Sequence, residues 1–405
     1  MKRSRRGSAY LLVLGASMLI VTVGVSAVMI SKQRTSGAIA RSEAMRARAG
    51  AITGISMALE AADRQSSWRE THAESSVCFV SQSDGVNIRV SATDPADGIL
   101  DDDWTQPVRL RSTSTVGVGA RTYEASFAPV IRGVDALDHV LCAGGDIIVS
   151  SSQLDAIGSV AAGGAIRVRS EDASATRWIS RDGVRGLDSR ENASQSSVAP
   201  QVPLSEAIDV LREQGVEIAT TDLESIVLSE NVNPWGRTSR SGVYIVDCRG
   251  GGARIANARI RGTLVFINAN RGVRIEESVF IENSHQGLPA LIVDGPCVFR
   301  LSDADLSESS LNMNFNPQGA PFDGDTDNDR RDSYGSMIIG TTWIRGDVMI
   351  QGEGFALEGS LIADGDVTIE ASTTLRHVGM KTTLSGFAIR EGWRRIDGSF
   401  ARVTE

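Results

Sequence analysis

The densest set of potential ligands in the chain is Asp323-Gly324-Asp325-Thr326-Asp327-Asn328-Asp329-Arg330-Arg331-Asp332. Carboxylates at near-alternate positions on an extended loop can converge on one hard cation, and oxygen-only ligation suits Ca2+. Counted from Asp323, the order departs from an EF-hand loop. Its sixth position is Asn328 where that loop has glycine, and its twelfth is Tyr334 where it has a bidentate glutamate. The competing reading is a solvated acidic loop inserted between repeats, partly neutralised by Arg330 and Arg331. Asp323, Asp325, Asp327, Asp329 and Asp332 are the candidate metal ligands, and Ca2+ is the one cofactor the sequence suggests.

Catalytic chemistry finds less material. Glu276, Glu277 and Glu282 near Arg274 have the residue types a polysaccharide lyase or hydrolase uses. The plainer reading makes them outward residues of alternating strands, with Arg274 and Glu276 flanking Ile275. There is no GxSxG, HExxH, GxxxxGK(S/T) or strand-following GxGxxG. His72, His139, His285 and His377 are scattered without an evident nucleophile. No catalytic residue is assigned, and the expectation is a protein that is not an enzyme. The net charge of -9 is spread out, and no basic patch is interleaved with aromatics, so no nucleic-acid partner is expected. Cys78, Cys142, Cys248 and Cys297 lack CxxC or Cys/His metal spacing. Each sits in an apolar run where a buried thiol is natural, although an even count also permits disulfides.

The element that would place such a domain is at the N-terminus. Gly7 to Ser31 contains no charged residue. As a helix this run rises about 37 Å at roughly 1.5 Å per residue, enough to cross a hydrocarbon core of about 30 Å. A cleaved secretory signal is the rival, with Val25-Ser26-Ala27 as its cleavage site, but the apolar run is long for one. Residues 32–62 are alanine-rich and free of proline, and Ile52, Ile55, Leu59 and Ala62 share one helical face. Gly37, Gly50 and Gly54 weaken that helix. One helix, lipid-embedded first and amphipathic afterwards, accounts for the whole segment.

Arg5-Arg6-Gly7 followed by Ser8-Ala9-Tyr10-Leu11-Leu12-Val13-Leu14, and then Ala44-Met45-Arg46-Ala47-Arg48-Ala49-Gly50, resembles the N-terminal region of type IV pilin-like proteins. The likeness is to PilX-type minor pilins and the K-type pseudopilin of type II secretion, and it extends from the N-terminus to about Ala62. It implies cutting by a prepilin peptidase between Gly7 and Ser8, and partners in the lipid bilayer and in other pilin-like subunits through this helix. Major pilins carry glutamate at the fifth position after the cut. Leu12 stands there, and K-type pseudopilins lack that glutamate too, which implies an accessory or tip subunit. Basic residues flank the span on both sides, so charge leaves orientation open. The resemblance implies a single-pass protein of the inner membrane with its large domain outside the cytoplasm.

The body is repetitive. Val140–Val149 recurs as Ser159–Val168, and Thr341–Ile350 recurs at the same offset as Ser360–Ile369. Looser copies lie at 264–275 and 290–300. Each unit is a short apolar strand, a glycine corner and another strand, too small to bury its own apolar side, so copies must stack. The chain holds 41 glycines against 10 prolines, in keeping with many tight corners. The expected fold class is mainly β: a long N-terminal transmembrane and amphipathic helix, then a right-handed parallel β-helix-like repeat domain, with a β-sandwich as the alternative. The expected organisation is a basic leader (1–7), the helix (8–62), a small mixed β segment (63–135) and first repeats (136–185). A linker with a short amphipathic helix packed across the coils (186–235) follows, then the main repeats (236–385) and a tail capping the last coil (386–405).

Overall fold

The computed structural model describes residues 6–65, 67–73, 77–150, 153–186 and 192–403. Two compact units emerge: Met1–Val130 with Arg390–Glu405, and Ile131–Ile389. The second is thus inserted in the chain of the first. The linear succession expected from sequence missed this because the strands at 119–133 and 388–395 pair although nearly the whole second unit separates them along the chain, which no local pattern signals.

In the first unit a single helix, α1 (Arg6–Arg64), is followed by a short turn of helix, α2 (Trp68–Thr71). Strands β1 (Val77–Ser83), β2 (Val86–Thr93), β3 (Val108–Val116) and β4 (Gly119–Gly133) then form an antiparallel meander. Asp84 and Gly85 both take positive φ in the two-residue turn between β1 and β2, the geometry that matches strand twist. Ala47, Ala51, Ile55, Ala58 and Ala62 of α1 are buried, and the last four share one apolar cluster with Ile88, Val90 and Leu110 of the sheet. The expected stripe shifts by a residue or so: Ile52 is exposed and alanines do the packing. The reason is close approach, since a Cβ on Gly54 would lie 2.5 Å from Ile88 Cγ2 and from Ser112 Oγ. The C-terminal tail does not cap a coil. Ala388–Arg395 and Ala401–Val403 both pair with β4, the latter antiparallel with Ala401 opposite Glu124.

The second unit is a stack of parallel strands on three faces, so the antiparallel pairs of a β-sandwich do not describe it. On one face Thr342–Ile344 pairs with Leu361–Ala363, on the next Val348–Ile350 pairs with Val367–Ile369, and on the third Gly354–Glu358 pairs with Ser372–Arg376. Inward residues repeat in register as ladders, for example Val348, Val367, Ile147 and Ile166, all buried.

Stacking order differs from chain order. Leu361–Ala363 pairs with Leu141–Ala143, and Val367–Ile369 with Ile147–Val149. The two separate repeat pairs seen in the sequence therefore form one uninterrupted run. From Leu141 the chain winds to one end of the stack, where Ala193–Gln195 lies on Trp178–Ser180. It resumes at the far end, where Val216–Ile218 lies on Tyr244–Val246, and winds back to meet its own first coil. The expected linker 186–235 is correspondingly shorter, because strands Val216–Ile218 and Asp222–Leu228 already belong to the stack; residues 187–191 lie outside the described residues.

Corner chemistry fixes this run. Asp347 Oδ1 accepts from Asp366 N (2.9 Å), Asp366 Oδ1 from Asp146 N (2.7 Å), and Asp146 Oδ1 from Ala165 N (2.7 Å). A Cβ on Gly365, Gly145 or Gly164 would fall onto the carboxylate of the neighbouring coil, which explains the glycine at each of these corners.

Helix α3 (Glu206–Gln214) carries the chain between ends. Ala207, Ile208 and Leu211 are buried as the amphipathic pattern predicts, whereas Leu204 is exposed. They lie in one apolar cluster with an outward ladder of the stack: Ile245, Val265, Ile292, Trp343, Ile362 and Cys142. An apolar exterior on a β-coil needs such a cover.

Candidate functional site

Two regions carry chemistry beyond folding. The first is the N-terminal part of α1. The side chains of Tyr10 to Ile30 are overwhelmingly apolar and exposed; Leu12 is 74% exposed and Ile20 71%. Mean hydropathy reaches 2.4 over an 18-residue window, so this one helix is long and apolar enough to cross a membrane. Three of its hydroxyls bond back to the helix. Ser17 donates to Val13 O (2.8 Å), Thr22 to Met18 O (2.6 Å) and Ser26 to Thr22 O (2.8 Å), the pattern that satisfies such groups in hydrocarbon. Gly7 and Ser8 lie in the first turns of α1. Residues 1–5 of the basic leader lie outside the described residues. The second half of α1 is clipped to its sheet, with Arg46 Nη2 donating to Asp84 O (2.7 Å).

The second region is the insertion 302–336, which separates Cys297–Leu301 from Met337–Ile339 and covers one outer face of the stack. Phe315, Ala320, Tyr334 and Leu306 bury there against Val227 and Phe280. Two buried charges organise it. Arg259, 1% exposed, donates to the carbonyls of Phe315 (2.7 Å), Ala320 (2.7 Å) and Pro321 (2.6 Å), and its guanidinium stacks on Phe322 and Tyr334. Burial pulls its pKa down, opposed chiefly by Glu282. Glu308 is fully buried. Its Oε1 accepts from Phe315 N (2.5 Å) and the Tyr334 hydroxyl (3.0 Å), and its Oε2 from Asp332 N (3.2 Å).

The five aspartates expected from sequence do not act together. Carboxylate oxygens of Asp327 and Asp329 lie with that of Glu308 within 4.8 Å of one another. Asp332 is beside them: burial first, then the charges of Asp327, Glu308 and Asp329, raise its carboxyl pKa. Asp323 and Asp325 instead sit exposed in a reverse turn closed by Phe322 and Asp325 backbone bonds, outside that group. An EF-hand register from Asp323 fails because the turn at 322–325 sends the first two side chains elsewhere. Glu308 was missed because it precedes the aspartate run by several turns of chain and falls outside the alternation that marks it. Asn316 was missed too. It is 3% exposed, and its Nδ2 donates to Asp332 Oδ2 (2.9 Å). Its Oδ1 has no hydrogen-bond partner among the described residues.

The other candidate groups are occupied structurally. Arg254 pairs with Glu276 (3.0 Å), Glu224 (2.8 Å) and Asp222 (3.5 Å) across three coils. Glu282 lies against Arg259 and Arg261. His139 Nδ1 sits 2.7 Å from Ser159 Oγ, and His377 Nε2 2.9 Å from Leu137 O, ties that sequence spacing did not reveal. All four cysteines are free and buried, and burial pushes Cys78 and Cys248 up to about 11, away from thiolate reactivity.

No protein-family model matches the chain, and no curated protein matches it. Among solved structures it is similar to the competence-associated pilin ComZ from Thermus thermophilus. That match has 12% identity and a TM-score of 0.29, and covers 89% of this chain and 98% of the other. It is also similar to an ice binding protein from an Antarctic Biological Consortium, at 9% identity and a TM-score of 0.27, covering 61% of this chain and 90% of the other.

Proposed function

We propose that the chain is a non-enzymatic, pilin-like subunit, anchored in a membrane by the first half of α1 and carrying a β-helix-like domain as its displayed module. One observation carries this reading: α1 is a single helix used in two ways. Its first half offers exposed apolar side chains, with Ser17, Thr22 and Ser26 bonded back to the helix, and its second half packs small residues on an antiparallel sheet. A helix that is apolar all round and uncovered needs lipid or other helices around it. Leu12 in place of the fifth-position glutamate supports an accessory or tip subunit of a type IV pilus or type II secretion-like filament. In that reading a prepilin peptidase cuts between Gly7 and Ser8 and the large domain lies outside the cytoplasm.

The test is mass spectrometry of the N-terminus of protein extracted from membranes, with and without prepilin peptidase. A mature start at Ser8 that depends on the peptidase is expected. An intact leader under both conditions would make the chain a static anchor, and a start near Val28 a secreted domain; either overturns the filament reading.

A further inference from the structure

We infer that the insertion 302–336 holds a divalent hard cation, Ca2+, at the converging carboxylates of Glu308, Asp327 and Asp329, with Asp332 and the buried amide of Asn316 alongside. Convergence is the first observation: oxygens of Glu308, Asp327 and Asp329 lie within 4.8 Å of one another. Oxygen-only ligation by carboxylates and an amide suits Ca2+, which tolerates irregular geometry, whereas Mg2+ demands a near-ideal octahedron and dehydrates reluctantly. Asn316 is the second, independent observation. Its side chain is nearly fully buried and its amide is turned onto Asp332, yet Oδ1 accepts nothing among the described residues. A buried amide oxygen without a partner leaves its lost hydration uncompensated, and a cation ligated there removes that loss. Glu308 retains capacity, because Oε2 accepts a single N–H.

Two neighbouring cations serve elsewhere. Arg330 donates to Asn312 Oδ1 (2.6 Å), and Arg259 to the carbonyls of Phe315, Ala320 and Pro321. A bound ion would join the helical turn Glu308–Leu311 to the loop 327–332, pinning the insertion at a point distinct from Arg259. The site stands apart from the membrane reading and survives its failure.

Terbium luminescence tests it on the full-length chain in detergent. Tyr334 bonds directly to Glu308, so its excitation should sensitise bound Tb3+, and Ca2+ should displace the ion. Asp327→Asn with Asp329→Asn should weaken Ca2+ displacement about tenfold or more, since affinity follows the count of charged ligands, while Asp323→Asn with Asp325→Asn should change it less than about twofold. Asn316→Leu should also weaken it. Absence of Ca2+-displaceable emission in the parent chain overturns the inference, as does an equal loss in the 323/325 pair. Should the 327/329 variant fail to fold by circular dichroism, equilibrium dialysis of the parent protein decides: one Ca2+ per chain supports the site, and none sinks it.

Discussion

Gly54 shows how a residue-level sign is decided by packing. In a bare helix Gly→Ala gains about 1 kcal/mol. Here the added methyl meets the branched Ile88 Cγ2 at 2.5 Å, and overpacking a tight contact costs about 1–3 kcal/mol. Gly54→Ala should therefore lower the melting temperature of the first unit, whereas Gly37→Ala, with nothing within 4 Å, should raise it or leave it unchanged. Gly54 weakens α1 on paper and is what lets the helix reach the sheet. A second residue-scale effect is titration. Burial lowers His139 below its ordinary 6.5. As pH falls through about 6.5 the unfolded chain takes up this proton first, so stability is lost from there down to the depressed native value and then levels. His139→Gln should flatten that part of a melting-temperature profile between pH 7 and pH 5; an unaltered slope would assign the loss to other groups.

At the scale of elements, the insertion 302–336 is held on the stack by apolar contacts with Val227 and Phe280 and by one buried charge from beneath it. Arg259 donates to three carbonyls of the insertion. Removing one partner of a buried charged bond costs about 1.5–3 kcal/mol, and three carbonyls share the loss here. Arg259→Met should free the insertion while the inward ladders of Ile260 and Ile281 persist. Limited proteolysis would then cut between 323 and 331 early, with far-ultraviolet circular dichroism nearly unchanged; loss of the whole strand signal would contradict local anchoring. The contrast with α3 shows what was legible. Leu211, Ala207 and Ile208 announce their buried face by helical spacing, so that helix could be read directly. Glu308, Arg259 and Asn316 come from separate stretches of chain and converge only through the fold. The aspartate run was visible, but which aspartates converge was set by the turn at 322–325, and a ligand pattern counted along an extended loop has no access to that turn.

At the scale of the molecule, the constant repeat offset exposed the coil and concealed its order. Val140–Val149 and Thr341–Ile350 read as two ends of an ordinary solenoid, and in an ordinary solenoid each coil pairs with its neighbours in sequence. The glycine corners held the missing information, because Gly145 needs its missing Cβ to accommodate Asp366, a residue far along the chain. That closure makes folding non-local. The coil at 141–157 exposes a strand edge until 361–376 arrives, and the coil at 342–358 does the same from the other side. Late-arriving coils with large sequence separation slow folding and leave edges open to aggregation. Ending the chain after Ser360 should therefore open two edges in the middle of the stack, where a solenoid in chain order would lose only a terminal coil. The shortened protein should aggregate or melt without cooperativity. Asp366→Ala, which leaves the exposed Asp146 amide to water, should lower stability by about 0.5–1.5 kcal/mol without loss of fold. A shortened chain that melts cooperatively near the parent temperature, by calorimetry on the soluble fraction, would show that the coils at 141–157 and 342–358 do not rely on what lies between them.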